Sequence, residues 1–374
     1  MEGGMSPRRP KGAGAFPKTV ETPVPQTPRS KPLYAALDLG TNSCRMLVAR
    51  PEGGQFRVVD SFSKAVQLGA GLEATGRLSR SSINRTIQAL RICQRKLRQH
   101  DVTRMRLVAT EACRRAKNSR DFIRLVKRET GLPLEIIPAE EEARLAVISC
   151  APLVHKKTEQ LLVVDIGGGS TELVWIDISD VPEADKANSI LQIKQGFTKG
   201  SAPAFGAKVI DWISVPLGVA TLRDQFEDVD DDGGRFALMS WFFEEKLHSF
   251  APYDRLHSHD GFQIVGTSGT ITTVAASHLG LTRYDRNKVD GLQMTSDQID
   301  KVIHGYLQLG PIGRRQDPRI GRDRAALIMS GSAILQALIR VWPTQRLSVA
   351  DRGLREGLLY ALMSDDGRKL DAHG

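Results

Sequence analysis

Regular alternation of apolar and polar residues begins at Leu33. The runs "LYAALDLG", "CRMLVAR" and "QFRVVDSFSKAVQL", separated by turn residues such as Gly53 and Gly54, predict three successive strands. "SRSSINRTIQALRICQRKLRQH" then sets Ile83, Ile87, Leu90 and Leu97 at helical spacing behind a serine-rich N-cap. A strand at "MRLVAT", a helix from about Asn118 to Thr130, a strand at "LEIIP" and a helix starting near Glu140 follow. A second round opens at Gln160 with "LLVVDIG" and "STELVWIDI". After it comes a stretch of mixed composition, Ser179 to Gly206, that reads as a hairpin with an extended loop. "FQIVGTSGTITTVAAS" and several helices complete the chain. Strands alternating with helices in this order predict α/β domains with helix-covered sheets.

The two openings superimpose. "LYAALDLGTNSCRMLVAR" and "QLLVVDIGGGSTELVWID" register with Asp38 on Asp165, Gly40 on Gly167 and Ser43 on Ser170, at a constant offset of 127 residues. Each reads as strand, tight turn, strand, so the expected architecture is two domains of one design facing each other. The expected boundaries are a tail over 1–32, a first domain over 33–142 with the C-terminal helix as a candidate addition, and a second over 143–374.

Composition changes this picture at one end. Of the net charge of +9, +4 sits in residues 1–32, which also hold seven of the 18 prolines and almost no aliphatic side chains. Such a segment cannot bury enough apolar surface to offset its ordering entropy, and it is expected to be disordered and solvated, without specific nucleic-acid contacts. No stretch has the apolar core of a signal peptide or the length of a membrane span, and Cys44, Cys93, Cys113 and Cys150 form no CxxC pair. A cytoplasmic protein is expected.

Candidate chemistry clusters at the turns. Three glycines in a row, Gly167, Gly168 and Gly169, suit either a plain hairpin turn or a loop whose N–H groups cradle phosphate. "DLGTNS" repeats the turn, with Thr41, Asn42 and Ser43 as donors. Asp38 and Asp165 each end an apolar strand, where a carboxylate can meet a divalent cation, and Glu172 lies on the returning strand as an edge residue or a second acidic contact. In "ATEACRRAKN", Thr110, Arg114 and Asn118 would share a face if the segment is helical. Glu140, Glu141 and Glu142 suit a helix N-terminus or a cleft base. "GTSGT", residues 266–270, joins a strand to a helix N-terminus, a good anion site. "RRQDPRIGRDR", with Arg314, Arg315, Arg319, Arg322 and Arg324, is either a solvated loop or one wall of a positive track. "DVDDDG" (228–233) starts like a calcium loop but puts Met239 at the twelfth position and shows no flanking helix pair. His257 and His259 lack further ligands at metal spacing.

Taken together, "ALDLGTNSCRMLVAR", "ATEACRRAKN", "AEEEARL", "VVDIGGGSTELV", "VGTSGTITTVAA" and "DRGLREGLL" resemble the exopolyphosphatase and guanosine pentaphosphate phosphatase family, over about Leu33 to Met363. That family belongs to the actin, Hsp70 and sugar-kinase superfamily. The resemblance implies two duplicated actin-like (ribonuclease H-like) domains around a central phosphate-binding cleft. It implies Glu142 as the base that activates water, Asp165 and Glu172 at a catalytic magnesium ion, and Arg114 with Asn118 on phosphate. Asp38, Gly40, Thr41, Asn42 and Ser43 would form one phosphate loop, Gly167 to Ser170 the facing one, and Thr267, Ser268 and Gly269 a third. Arg45, with Cys44 before it, departs from the common family pattern at the mouth of the site.

The expected activity is hydrolysis of terminal phosphate from inorganic polyphosphate, with the 5′ phosphate of guanosine pentaphosphate as the close alternative. An ATP-dependent kinase of the same superfamily and a noncatalytic polyphosphate or alarmone sensor are more distant. The chain ends soon after "GLREGLLYALM", short of the extra C-terminal helical domain of longer members, so a short polyphosphate track is expected. A homodimer is a further family expectation.

Overall fold

A computed structural model describes residues 32–193, 206–254, 260–368 and 370–371, with Met1 and Gly3. The rest of the Pro-rich tail, His257 and His259 lie outside the described residues. Five strands, β1 (Tyr34–Leu39), β2 (Ser43–Glu52), β3 (Gln55–Ala65), β4 (Arg104–Ala109) and β5 (Leu134–Ile136), form one sheet in the order β3-β2-β1-β4-β5. The first three are antiparallel neighbours, and β4 and β5 run parallel to β1. The second sheet holds β6 (Gln160–Ile166), β7 (Thr171–Asp177), β8 (Lys208–Val215), β9 (Phe262–Thr267), β10 (Gln293–Met294) and β11 (Leu347–Ala350), ordered β10-β11-β9-β6-β7-β8. Without the two-residue β10, its order β8-β7-β6-β9-β11 reproduces the first sheet strand for strand, with the same senses. The duplicated sequence therefore builds a duplicated sheet.

The first half carries α1 (Leu72–Thr75), α2 (Arg80–Gln99), α3 (Glu111–Arg115), α4 (Ser119–Thr130) and α5 (Ala139–Cys150). The Ser79 hydroxyl starts α2 by accepting the Ser82 N–H, and α2 buries Ile87, Leu90, Cys93 and Leu97 against the first sheet. Gly131, at φ 69°, ends α4 in the left-handed conformation that glycine adopts without a Cβ penalty.

The second half carries α6 (Lys186–Leu191), α7 (Val219–Gln225), α8 (Asp232–Glu245), α9 (Gly269–His278), α10 (Arg286–Val289), α11 (Ser296–Gln316), α12 (Arg322–Ala325), α13 (Ile328–Val341) and α14 (Leu354–Asp365). The last of these returns to the first sheet: Leu358, Leu359 and Met363 pack with Tyr34, Ala36 and Leu47. One helix serves both halves. Leu145 of α5 joins that cluster, while Ala143, Val147 and Cys150 of the same helix pack with Leu161, Val163 and Val174 of the second sheet. A Cβ on Gly357 would come within 2.1 Å of the Leu145 carbonyl oxygen, so α14 and α5 cross at backbone contact.

Two expectations change. The 179–206 segment contains the helix α6 within its described part, and the hairpin is completed by β8, an edge strand antiparallel to β7. "DVDDDG" does have a helix on each side, α7 before it and α8 from its own Asp232 onward, but two of its carboxylates serve the fold. Asp231 caps α8 by accepting the Gly234 N–H, and Asp232 pairs with Arg314 at 2.6 Å.

Candidate active site

The β1–β2 and β6–β7 turns meet each other. Each is closed by the same bond, Gly40 N–H to the Ser43 carbonyl and Gly167 N–H to the Ser170 carbonyl, both 2.9 Å. None of Gly40, Gly167, Gly168 and Gly169 has a positive φ. Their bareness answers to space instead. A Cβ on Gly168 would lie 3.2 Å from Asn42 Cβ, and one on Gly169 would lie 2.3 Å from Thr41 Oγ1. The loops of the two halves thus touch each other directly. Beneath them, the Val219 and Ala220 N–H groups at the start of α7 bind the carbonyls of Gly167 and Gly168 at 3.0 and 2.9 Å.

Strand register sets the charges. Asp38 lies opposite Arg45 across the first hairpin, and Asp165 lies opposite Glu172 across the second. These are equivalent positions under the 127-residue repeat, so the duplication has put a cation in one half where the other has a carboxylate. Burial raises the Asp38 carboxyl, with Arg45 and Arg355 opposing. Burial, with Glu142 and Asp38 nearby, pushes Asp165 up to about 8. Burial, with Asp165 nearby, pushes Glu172 up to about 7, although the Ser214 hydroxyl donates to it at 2.8 Å.

Glu142 stands in the first turn of α5, buried, and burial with Glu172 nearby raises its carboxyl well above the ordinary range. Arg114 Nη1 donates to its Oε2 at 2.5 Å and to the Ile137 carbonyl at 3.2 Å. The other edge of that guanidinium, Nε and Nη2, is held by Glu111 Oε2 at 3.1 and 2.9 Å.

A third wall comes from the β9–α9 junction. Thr267, Ser268, Gly269 and Thr270 line the cleft, and the Ser268 hydroxyl caps α9 by accepting the Ile271 N–H. Beside it run Asp351 to Arg355, anchored by the Thr267 hydroxyl donating to the Arg352 carbonyl. The cleft encloses about 530 Å³, and Arg45, Arg324, Arg352 and Arg355 all reach its lining. Arg352 is bound by Asp290, and Arg324 donates to the Gly269 carbonyl and the Thr273 hydroxyl. Arg45 Nε and Thr41 Oγ1 are buried there without a protein partner among the described residues. Paired glycine turns, clustered arginines and buried carboxylates suit a phosphate-bearing ligand met from both halves.

The Ppx/GppA phosphatase family model matches residues 47–366. The chain belongs to that family. A solved structure of the Aquifex aeolicus family member shares 30% identity at a TM-score of 0.70, over 90% of this chain and 99% of that one. A second study of the Aquifex aeolicus PPX-GPPA enzyme gives 31% and 0.68, over 88% and 99%. An exopolyphosphatase from Cytophaga hutchinsonii, 20% identical, matches in fold at 0.73 over 91% and 100%. The Ppx/GppA chain accordingly has two actin-like domains and is a phosphatase-class hydrolase.

In this Ppx/GppA phosphatase the cleft gathers Asp38, Gly40, Thr41, Asn42, Ser43, Glu142, Asp165, Gly167 to Ser170 and Thr267 to Gly269. Glu172 and Arg114 are adjacent, through Asp165 and Glu142. Asn118 is not brought there. Helix α3 stops at Arg115, Ala116 leaves helical conformation at ψ 126°, and the Asn118 amide instead accepts from Leu78 N–H at 2.9 Å and donates to Leu78 O at 3.0 Å. The arginine run of 314–324, read as either a solvated loop or one wall of a positive track, divides between the two. Arg314 is buried on Asp232 and Arg319 pairs with Asp317, leaving Arg324 to line the cleft; the Arg322 side chain is outside what is described. Sequence reading passed over Glu111, Gly218, Arg352 and Arg355 as site residues, although "ATEACRRAKN" and "DRGLREGLL" contain three of them. They come from three distant stretches of chain that the fold brings to the cleft, which local spacing does not encode.

Proposed function

We propose that this phosphatase is an exopolyphosphatase that removes terminal orthophosphate from inorganic polyphosphate with magnesium as its cofactor. The observation that carries this reading is the asymmetric pair of hairpins. Asp38 has Arg45 as an internal counter-charge, whereas Asp165 and Glu172 form a buried, doubly acidic pair beside a glycine turn. All-oxygen donors on one or two carboxylates suit magnesium, which completes its shell with water and phosphate oxygens. Among the described residues no group of three or more His, Cys, Asp or Glu side chains is placed to hold a metal ion by itself. Asp165 and Glu172 would hold the ion, which when bound offsets charge on the transferred phosphoryl group.

The chain's own groups supply the rest. Phosphoanhydride hydrolysis needs an in-line water, a base and charge neutralisation on the phosphoryl oxygens. Glu142 is the base: burial makes its carboxylate a stronger proton acceptor, and α5 fixes it beside the two loops. Arg114, Arg45 and the turn N–H groups offset negative charge on the terminal phosphate, and Thr41, Asn42 and Ser43 orient it from the first half. Arg324, Arg352 and Arg355 receive the remaining chain.

A second reading, removal of the 5′ phosphate of guanosine pentaphosphate, is favoured by one observation. A cavity of about 380 Å³ adjoins the cleft across Thr41, Asn42, Glu111 and Gly169, and is lined by Leu72, Glu73, Arg115 and Arg223. That is room for a nucleoside, which a bare polyphosphate chain does not need. Orthophosphate release from polyphosphates of defined length and from guanosine pentaphosphate, with magnesium, decides between them. Faster initial rates on polyphosphate support the first reading, faster rates on the nucleotide the second, and no release from either overturns both. Glu142→Gln is expected to lower kcat by about 10²–10⁴ while the protein stays folded by circular dichroism; unchanged turnover would remove Glu142 as the base.

A further inference from the structure

Arg114 reaches the site from a helix of only five residues, too short to fix a long side chain by itself. Its guanidinium nevertheless has both edges occupied. Nη1 is taken by Glu142 and the Ile137 carbonyl, Nε and Nη2 by one oxygen of Glu111. Glu111 and Arg114 are three residues apart, which places them on one face of α3. Their side chains are only 12% and 16% exposed, so the pair is poorly screened and its partners are costly to separate. Glu111 is in turn 3.9 Å from Arg115, which is bound by Glu73, so charges alternate from Glu73 through to Glu142.

We propose that Glu111 is a positioning residue for the hydrolytic reaction, seating the Arg114 guanidinium so that only its Nη1 edge faces Glu142, which lines the cleft. Without the seat, two donor groups of Arg114 lose their acceptor and the side chain can turn either edge toward Glu142. The seat lies where the halves touch: a Cβ on Gly169 would be 3.2 Å from Glu111 Cγ. Glu111 therefore sits against the same glycine, Gly169, that meets Thr41 of the facing turn. The catalytic part of the proposal rests on the phosphoanhydride reading above; the seating itself does not.

Two measurements on the full chain test it. In arginine-¹⁵N-labelled protein, the Arg114 Nε–H resonance, identified by its loss in Arg114→Lys, should exchange slowly with solvent, and in Glu111→Gln it should exchange about tenfold faster or more. With tripolyphosphate and magnesium, Glu111→Gln and Glu111→Ala should lower kcat about tenfold with a smaller change in KM, and Glu111→Asp should recover part of it. In an Arg114→Ala background the same substitutions should change kcat less than about twofold, since residues acting as one unit are non-additive. Equal losses in both backgrounds, or an unaltered Arg114 resonance in Glu111→Gln, would overturn the proposal. If the unmodified protein releases no orthophosphate, the functional reading fails and the resonance alone decides whether Glu111 seats Arg114.

Discussion

Gly218 has φ −118° and ψ −174°, a backbone that any residue adopts, so conformational freedom does not explain it. Space does. A Cβ there would lie 2.5 Å from the Gly167 carbonyl oxygen, 2.5 Å from Gly168 C and 2.6 Å from Gly169 N. All three are backbone atoms of the cleft turn and cannot swing aside as a side chain would. Gly218→Ala must push the turn toward Thr41 and Asn42 or draw α7 away from the carbonyls it holds. We expect destabilisation of about 1–3 kcal/mol, the range of core overpacking, seen as a lower denaturation midpoint, together with at least a tenfold loss of kcat/KM. Wild-type kinetics in a well-folded Gly218→Ala would show that the turn tolerates displacement. The glycine run of 167–169 was visible in the sequence as a candidate phosphate cradle, but its packing role was not. That role depends on Thr41, 127 residues before Gly168, and on Gly218, 50 residues after it.

Strands and helices were legible wherever burial is one-sided or complete over a run, as in "LLVVDIG" and in the apolar face of α2. Edge strand β8 was missed because Lys208, Asp211 and Ser214 interrupt its apolar residues, and it pairs on one side with β7. The "ATEACRRAKN" segment shows the opposite error. Steps of four from Thr110 suggest a continuous helix, yet the chain makes one turn, breaks at Ala116 and restarts at Ser119. Asn118 sits in that break and ties α4 to the segment preceding α2 through two bonds to Leu78. Asn118→Ala leaves both Leu78 groups without this partner, at a cost of about 1–3 kcal/mol. A fall of several degrees in the thermal midpoint is expected, with KM for a phosphoanhydride substrate unchanged within about twofold. A raised KM at unaltered stability would return Asn118 to the phosphate site.

Across the whole molecule, the meeting of two acidic strand ends and the start of α5 concentrates Asp38, Glu142, Asp165 and Glu172 in one buried region, and all four carboxyls are raised. The consequence for stability follows from proton linkage. A carboxyl whose folded-state value lies above its unfolded one binds more protons when folded, so stability falls as pH rises between the two. For Asp165 that window runs from 3.8 to about 8, and for Glu172 from 4.5 to about 7. Groups lowered on folding work the other way. For Asp60, hydrogen bonds from Lys96 and His100 outweigh the opposing effect of burial, so its contribution is lost on acidification below its ordinary value of 3.8 and is complete above the acid range. In chelator, the thermal midpoint should therefore decline from about pH 5 to pH 8. Under the proposed function magnesium would bind the ionised pair, so saturating magnesium should flatten that decline and raise the midpoint most at the alkaline end, where the repulsion it would relieve is greatest. The matched variant Asp165→Asn with Glu172→Gln should be less sensitive to pH over this window and gain little from magnesium. Equal magnesium shifts at pH 5 and pH 8 in both proteins would place the cation elsewhere, and a midpoint rising through this window would mean that the acidic cluster is already compensated within the fold.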